Sequence, residues 1–239
     1  MLWGSFGIVH ILSLILGGGI IVGLHFLLRR FSERVRVITL GVLSLSGIAA
    51  IIFNLVTWGS PIEYLPLHLC SLTAMVLPFA VVLRSRVLCN LLLLWSLGAV
   101  MALVVNTAQA DFEILSPTFF FYFFPHLFEF GIPILMLTLR LARKDVRCIA
   151  STLAITFGVF TLVHLANVAI NSHLAVLGSD VRVNYMYSIK PENPVLELFW
   201  KLIPLPFLYM MPIVVVAGIY LLLIYLPEII RASRRAKDR

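Results

Sequence analysis

The chain has 239 residues, of which 61% are hydrophobic, with a mean hydropathy of +1.05 and a formal net charge of +7. A soluble domain of this length cannot bury so large an apolar fraction, and successive apolar runs of about 20 residues indicate membrane-spanning helices. The positive charge argues against a nucleic-acid partner, because the basic residues stand in short clusters between the apolar runs, where they orient membrane proteins.

The hydropathy pattern predicts an all-α, polytopic membrane protein that forms a single membrane domain over residues 1–239. Because no basic segment precedes the first apolar run, and the run is too long for a signal-peptide core, we expect it to be retained as a helix. Seven transmembrane helices are predicted at about residues 6–28, 37–57, 66–83, 87–105, 119–139, 148–169 and 207–226.

Lysine and arginine lie mostly at alternate ends of these helices. Fifteen follow the first, third and fifth helices or belong to the tail at residues 227–239, and only Arg182, Lys190 and Lys201 lie on the other side. The positive-inside rule therefore predicts an N-terminus outside and a C-terminus in the cytoplasm. The long connection at residues 172–206 is then external, and its apolar, aromatic stretch is suited to the membrane interface.

The fifth helix carries the most informative stretch, S-P-T-F-F-F-Y-F-F-P-H-L-F-E-F-G, with two ionisable residues inside an apolar run. His126 and Glu129 are three residues apart, so their side chains project from nearly the same helix face. Ionisable groups in a membrane span are costly and usually face a protein-lined or water-lined interior. We therefore predict a functional site here, with a structural pair that pins two helices together as the alternative.

Further polar residues occupy the outer halves of other helices. The third helix opens with P-L-H-L-C-S, which contains His68 and Cys70, and the sixth carries His164, Asn167 and Asn171 on one face. We expect five helices to direct these groups into one outward-facing cavity, whereas interhelical hydrogen bonding is the simpler alternative. The outer-half set is Asn54, His68, Cys70, Asn106, His126, Glu129, His164, Asn167 and Asn171.

This set supplies the groups that acyl transfer requires. Cys70 is a possible nucleophile, His126 or His68 a possible base, and Glu129 a carboxylate that orients the base, with asparagine amides as donors. The sequence contains no motif for ATP, NAD or haem, so we predict no cofactor. It has neither an H-x-x-x-H nor an H-E-x-x-H spacing, so we predict no metal site.

Three short motifs carry a resemblance to a known family. They are L-P-L-H-L-C-S at residues 65–71, N-T-A-Q-A-D at 106–111, and N-Y-M-Y at 184–187 before P-x-P-x-x-Y. Over about residues 54–212 the chain resembles the bacterial YwaF-type integral membrane proteins. That family is similar to a eukaryotic multi-pass acyltransferase that loads polyunsaturated acyl chains onto ether lysophospholipids through a cysteine. It is more distantly similar to the androgen-induced hydrolases of branched fatty-acid esters, which use Thr and His.

The resemblance implies that His126 is the catalytic histidine and that Cys70 is the nearest candidate nucleophile. In the eukaryotic acyltransferase the cysteine directly follows the proline, where this chain has Leu67. Cys70 lies one turn further on, and His68 matches the motif better than Cys70 does. The predicted substrate-binding residues are Asn54, Asn106, His164, Asn167, Asn171, Asn184 and Tyr185.

We therefore expect a multi-pass protein of the cell membrane whose partner is membrane lipid. The leading hypothesis is an intramembrane lipid acyltransferase or lipid esterase, and the alternative is a non-catalytic binder or transporter of a small polar or amphiphilic solute. A cavity that opens sideways to lipid would favour the enzyme, while one that reaches both membrane faces would favour transport.

Overall fold

The fold was analysed in a computed structural model, which describes residues 2–4, 6–104 and 112–237, with side chains up to residue 230. A two-residue antiparallel ribbon joins β1, Leu2–Trp3, to β2, Phe112–Glu113, so the all-α prediction holds apart from this ribbon. The eight α-helices of the described residues are α1 Ile8–Leu28, α2 Glu33–Thr57, α3 Leu69–Leu83, α4 Arg86–Val104, α5 Pro117–Thr138, α6 Ile149–Val176, α7 Pro194–Leu202 and α8 Met211–Lys237.

Six of the described helices are long and apolar enough to cross a membrane, and α3 is shorter than the predicted span. It has 15 residues and so extends about 22 Å, less than the thickness of a hydrocarbon core of about 30 Å. The chain before it is not helical, because Leu67 closes a tight turn around Pro66 and His68 is extended, with φ −77° and ψ 154°.

The chain divides into two compact units, and the first contains Met1–Arg143. In this unit α2, α3, α4 and α5 pack together as a bundle, and α1 packs on α5. Apolar side chains from several helices fill the core, among them Leu77, Leu92 and Ile132.

Glycines set the closest approaches between helices in the first unit. A Cβ atom at Gly17 of α1 would lie 3.0 Å from the side chain of Leu127 in α5. At Gly47 of α2, a Cβ would lie only 2.5 Å from the Cβ of Ala74 in α3. Small residues allow such approaches in membrane bundles, where dispersion contacts between helices replace the hydrophobic effect.

Arg36 ties helix ends together at the basic side of the first unit. Its guanidinium donates to the carbonyls of Leu28 and Arg29, at 3.0 and 2.8 Å, and to that of Leu139 at 3.3 Å. The last carbonyls of a helix have no partner within the helix. Part of the cationic cluster after α1 therefore has a structural use.

The second unit, Lys144–Arg239, contains α6, α7 and α8. Helix α6 runs past the predicted end at residue 169, because no glycine or proline occurs between that residue and Gly178, which has a φ of +68°. The connection from α6 to α8 is also more ordered than a plain external loop. It contains a 3₁₀ turn at Tyr185–Tyr187, helix α7 and a second 3₁₀ turn at Leu208–Met210.

Candidate functional site

The imidazole of His126 is fixed by its own helix. Its Nδ1 donates to the carbonyl of Tyr122 at 2.6 Å, and the two rings lie 4.6 Å apart. The Tyr122 hydroxyl donates in turn to the carbonyl of Ala102 in α4, at 2.9 Å. Because a carbonyl can only accept, the neutral imidazole carries its proton on Nδ1 and has a basic lone pair on Nε2. The backbone of α5 thus engages Nδ1 of the predicted base and not Nε2.

Glu129 lies one turn further along α5 and is only 3% exposed. Its Oε1 would be 3.4 Å from a Cβ placed at Gly47, so the carboxyl faces α2 as well as α3. Within the described chain, its Oε2 has no hydrogen-bond partner and no hydrogen bond joins it to His126. The carbonyl of Tyr122, rather than Glu129, therefore orients the imidazole. A buried polar atom without a partner is rare and requires an explanation.

Cys70 is the second residue of α3 and is half-buried. Its thiol lies within electrostatic reach of Glu129. Ala74, one turn further on the same face of α3, packs against Gly47 beside the Glu129 carboxyl. No hydrogen bond joins Cys70 to His126 among the described residues. Glu129 is therefore an ionisable side chain that acts electrostatically on the thiol.

The helix directions place His126 and Cys70 at a similar level of the bundle. The start of α3 meets the second half of α4, because a Cβ at Gly98 would lie 3.1 Å from Leu69. The first half of α5 meets the end of α4 through the hydrogen bond from Tyr122. Helices α3 and α5 therefore run in the same direction. Ala74 and Glu129 lie at one level, because both are beside Gly47. Cys70 precedes Ala74 by about one turn of α3, and His126 precedes Glu129 by about one turn of α5, so Cys70 and His126 share the next level.

The other predicted residues of the first unit have local positions. His68 is the N-cap of α3, and its side chain makes no cap hydrogen bond to the helix. Asn54 lies near the end of α2, where its Oδ1 accepts from the indole of Trp58 at 3.4 Å. Asn106 lies outside the described residues. His126, Glu129 and Cys70 are thus the predicted residues that the first unit brings together.

The polar stripe of α6 binds the segment at residues 183–188, which we call the strap. Asn167 accepts from the N–H of Tyr185 at 2.9 Å and donates to its carbonyl at 2.8 Å. Asn171 makes the same two bonds to Val183, both at 2.8 Å. The two asparagines stand about one helical turn apart, and each meets an alternate residue of the strap.

Ser188, which the sequence reasoning did not single out, completes this network. Its buried hydroxyl lies 2.9 Å from Nδ2 of Asn167 and 3.0 Å from Nδ1 of His164. The amide of Asn167 has therefore used its acceptor oxygen and both of its N–H groups. Backbone groups of a buried segment need partners. The stripe on α6 supplies those partners.

The remaining predicted residues, in the N-Y-M-Y motif, also hold the strap region in shape. Asn184 Oδ1 accepts from the N–H of Ile189 at 2.9 Å, and its Nδ2 donates to Glu192 at 2.7 Å. Tyr185 is buried, and the hydroxyl of Tyr209 donates to the carbonyl of Tyr187. The spacing of Asn167 and Asn171 predicts a polar face on α6, and a polar face can bind a segment of the same chain as well as a ligand.

A model of the TMEM164 family matches residues 5–225 of the chain. The chain belongs to that family. No curated protein and no solved structure matches it. As a TMEM164-family protein it is a multi-pass membrane protein with several apolar helices. Among the described residues of this TMEM164-family protein, no three His, Cys, Asp or Glu side chains come together as a metal site.

Proposed function

We propose that this TMEM164-family protein transfers or hydrolyses the acyl chains of membrane lipid esters within the bilayer. The observation that carries this proposal is the Glu129 carboxyl, which is buried, has an unpartnered oxygen and acts electrostatically on the Cys70 thiol. An ionisable side chain in a spanning helix is costly and marks a functional site more often than a packing site. A structural glutamate would be expected to have its oxygens hydrogen-bonded.

The geometry supports a covalent sequence that begins at Cys70. The sulfur attacks the ester carbonyl carbon, and the thiol proton passes to the carboxylate of Glu129. As the ester C–O bond breaks, the departing alkoxide takes that proton, which leaves a thioester on Cys70 and a free lipid hydroxyl. Splitting the transfer through a covalent intermediate replaces one difficult step by two easier ones.

His126 serves the second half of the proposed sequence. Its Nε2 removes the proton from an acceptor hydroxyl, or from water in hydrolysis, and the resulting oxygen attacks the thioester. The proton then returns to the departing Cys70 sulfur, so atoms and charges balance. The hydrogen bond to Tyr122 fixes the ring and keeps the proton on Nδ1, as this role requires.

The proposal includes the membrane arrangement that brings lipid to these residues. We place the N-terminus outside, the basic tail in the cytoplasm of a cell-membrane protein, and α3 as the short seventh crossing. The reacting groups then lie in the outer half of the bundle. Helix α7 lies along the external interface, because Leu198 and Leu202 are exposed while Trp200 packs on Tyr209, with rings 5.1 Å apart.

The resemblance to the YwaF-type proteins and to the ether-lipid acyltransferase supports a lipid ester as the substrate class. The experiment is an assay in lipid nanodiscs with a labelled phospholipid as acyl donor and a lysophospholipid as acceptor. We expect Cys70→Ser to lower transfer and hydrolysis at least a hundredfold, because a hydroxyl is the weaker nucleophile, and His126→Ala to do likewise.

The matched control is Cys148→Ser, at the start of α6, which should keep wild-type turnover. Full activity in Cys70→Ser would overturn the covalent mechanism. Should the wild-type protein instead retain lipid or another amphiphile without turning it over, binding or transport would replace the enzyme hypothesis.

A further inference from the structure

The first turn of α3 presents backbone N–H groups that make no hydrogen bond within the helix. The N–H groups of Leu69, Cys70 and Ser71 have no preceding turn to bind. His68 makes no side-chain cap, and its carbonyl accepts from Leu72, at 3.0 Å, rather than from the first turn. Among the described residues no backbone carbonyl accepts from these three groups.

Two further features point to the same end of α3. The N–H groups of Cys70 and Ser71 lie beside the Cys70 sulfur. Glu129, 3% exposed and with an unpartnered oxygen, lies within electrostatic reach of that sulfur. A possible nucleophile and two backbone donors thus lie at the positive end of a 15-residue helix, with a buried acid within electrostatic reach.

We propose that the N–H groups of Cys70 and Ser71 bind the carbonyl oxygen of the acyl group that Cys70 attacks, as an oxyanion site. The identity of the natural ester rests on the proposed function, whereas the site itself requires only an ester carbonyl at Cys70. Backbone donors held in a rigid helix, aimed at an oxygen where charge develops, lower the barrier without reorganisation.

The charges in the proposed step are consistent. When the S–C bond forms, the carbonyl π electrons move to oxygen, which becomes negative beside the start of α3. Glu129 has received the thiol proton by then and is neutral, so it does not repel the oxyanion. When the carbonyl re-forms, the C–O bond to the alcohol breaks and the alkoxide takes the proton from Glu129.

A side-chain cap at residue 68 offers a direct test. Serine at an N-cap accepts from the second or third N–H of its helix, which here belong to Cys70 and Ser71, and His68 already has the extended backbone of an N-cap. His68→Ser should therefore occupy the proposed donors, while His68→Ala removes the same imidazole without supplying an acceptor. A higher melting temperature of His68→Ser than of His68→Ala would show that the cap forms.

The readout compares two reactions of Cys70 in purified full-length protein, followed by intact mass. Acylation by p-nitrophenyl butyrate passes through an oxyanion, whereas alkylation by iodoacetamide does not. We expect acylation to be at least tenfold slower in His68→Ser than in His68→Ala, since losing one oxyanion donor typically costs about a hundredfold or more. Alkylation needs the same thiolate, which these N–H groups also face, so each acylation rate is divided by the alkylation rate of the same variant, and the tenfold difference should remain in that ratio.

Each outcome bears on the inference. Equal ratios of acylation to alkylation in the two variants, despite a formed cap, would overturn it, as would a Cys70 that iodoacetamide alkylates but the ester never acylates. A thiol that neither reagent modifies would overturn both the site and the covalent mechanism. If the acylation difference holds but no lipid ester is turned over in nanodiscs, the oxyanion site stands and the proposed lipid function fails.

Discussion

Asn167 binds both backbone groups of Tyr185 with its single side-chain amide. Its Oδ1 accepts the Tyr185 N–H at 2.9 Å, its Nδ2 donates to the Tyr185 carbonyl at 2.8 Å, and its remaining N–H reaches Ser188. All three residues are buried. A helix side chain thus makes the two hydrogen bonds that a neighbouring strand residue would make to the backbone of Tyr185.

Removal of this amide should destabilise the second unit. Asn167→Ala leaves a buried N–H and a buried carbonyl on Tyr185 without partners, at a cost of about 2–5 kcal/mol. Hydrogen exchange measured in detergent should show faster exchange of the Tyr185 amide, whose N–H donates to Asn167. The matched variant is Asn171→Ala, which loses only the two bonds to Val183 and should have the smaller effect.

The same variants distinguish a structural role of Asn167 from a role in binding a ligand. A lipid-binding asparagine would affect turnover at unchanged stability, whereas a strap-binding asparagine affects stability first. Asn167 variants that melt like the wild type but lose turnover would restore the role that the sequence predicted.

A side chain at position 47 should weaken the packing of α2 against α3. In Gly47→Ala the new Cβ would lie 2.5 Å from the Cβ of Ala74 and 3.2 Å from its Cα, so backbone has to move. We expect a loss of about 1–3 kcal/mol in unfolding free energy, the usual cost of overpacking. Denaturation in mixed micelles measures it.

Two further variants test whether this contact is responsible. Gly41→Ala, on the same helix, meets no atom within 4 Å and should be neutral or slightly stabilising, because alanine is the better helix former. Ala74→Gly in the Gly47→Ala background should recover much of the loss. Equal effects at positions 41 and 47 would show that helix propensity, not the crossing, decides stability.

Much of the fold follows directly from the sequence, while the partners of polar residues do not. The apolar runs predicted α1, α2, α4 and α5 to within a few residues, because length and hydropathy are what a bilayer selects. The start of α3 was misplaced by three residues, since proline is compatible both with a first helical turn and with the tight turn that forms here.

The candidate site shows the same division. Helical spacing correctly placed His164, Asn167 and Asn171 on one face, but it does not reveal whether a ligand or the chain itself will occupy that face. The hydrogen bond of His126 to Tyr122 is local in sequence and yet was not predicted, because the sequence suggested Glu129 as its partner. Pair identities depend on tertiary contacts that periodicity does not encode.

The orientation of the chain remains a prediction from charge. Because 15 of the 18 basic residues lie on one predicted side, a cytoplasmic reporter fused after Arg239 should be active. In whole cells, Asp180→Cys in the external connection should react with a membrane-impermeant maleimide, whereas Val35→Cys should react only after permeabilisation. The reverse labelling pattern would invert the topology.

Replacement of Glu129 by an apolar residue should separate stability from activity. Its buried carboxyl has an oxygen without a partner among the described residues, so Glu129→Leu removes an unsatisfied polar group and should stabilise the first unit by about 1–3 kcal/mol. The same change removes the proposed acceptor of the Cys70 proton, so lipid turnover should be lost. Glu129→Gln, which keeps the shape but cannot take the proton, should also be inactive. If Glu129 is instead a structural pin, Glu129→Leu will melt at a lower temperature than the wild type, and Glu129→Gln will keep turnover.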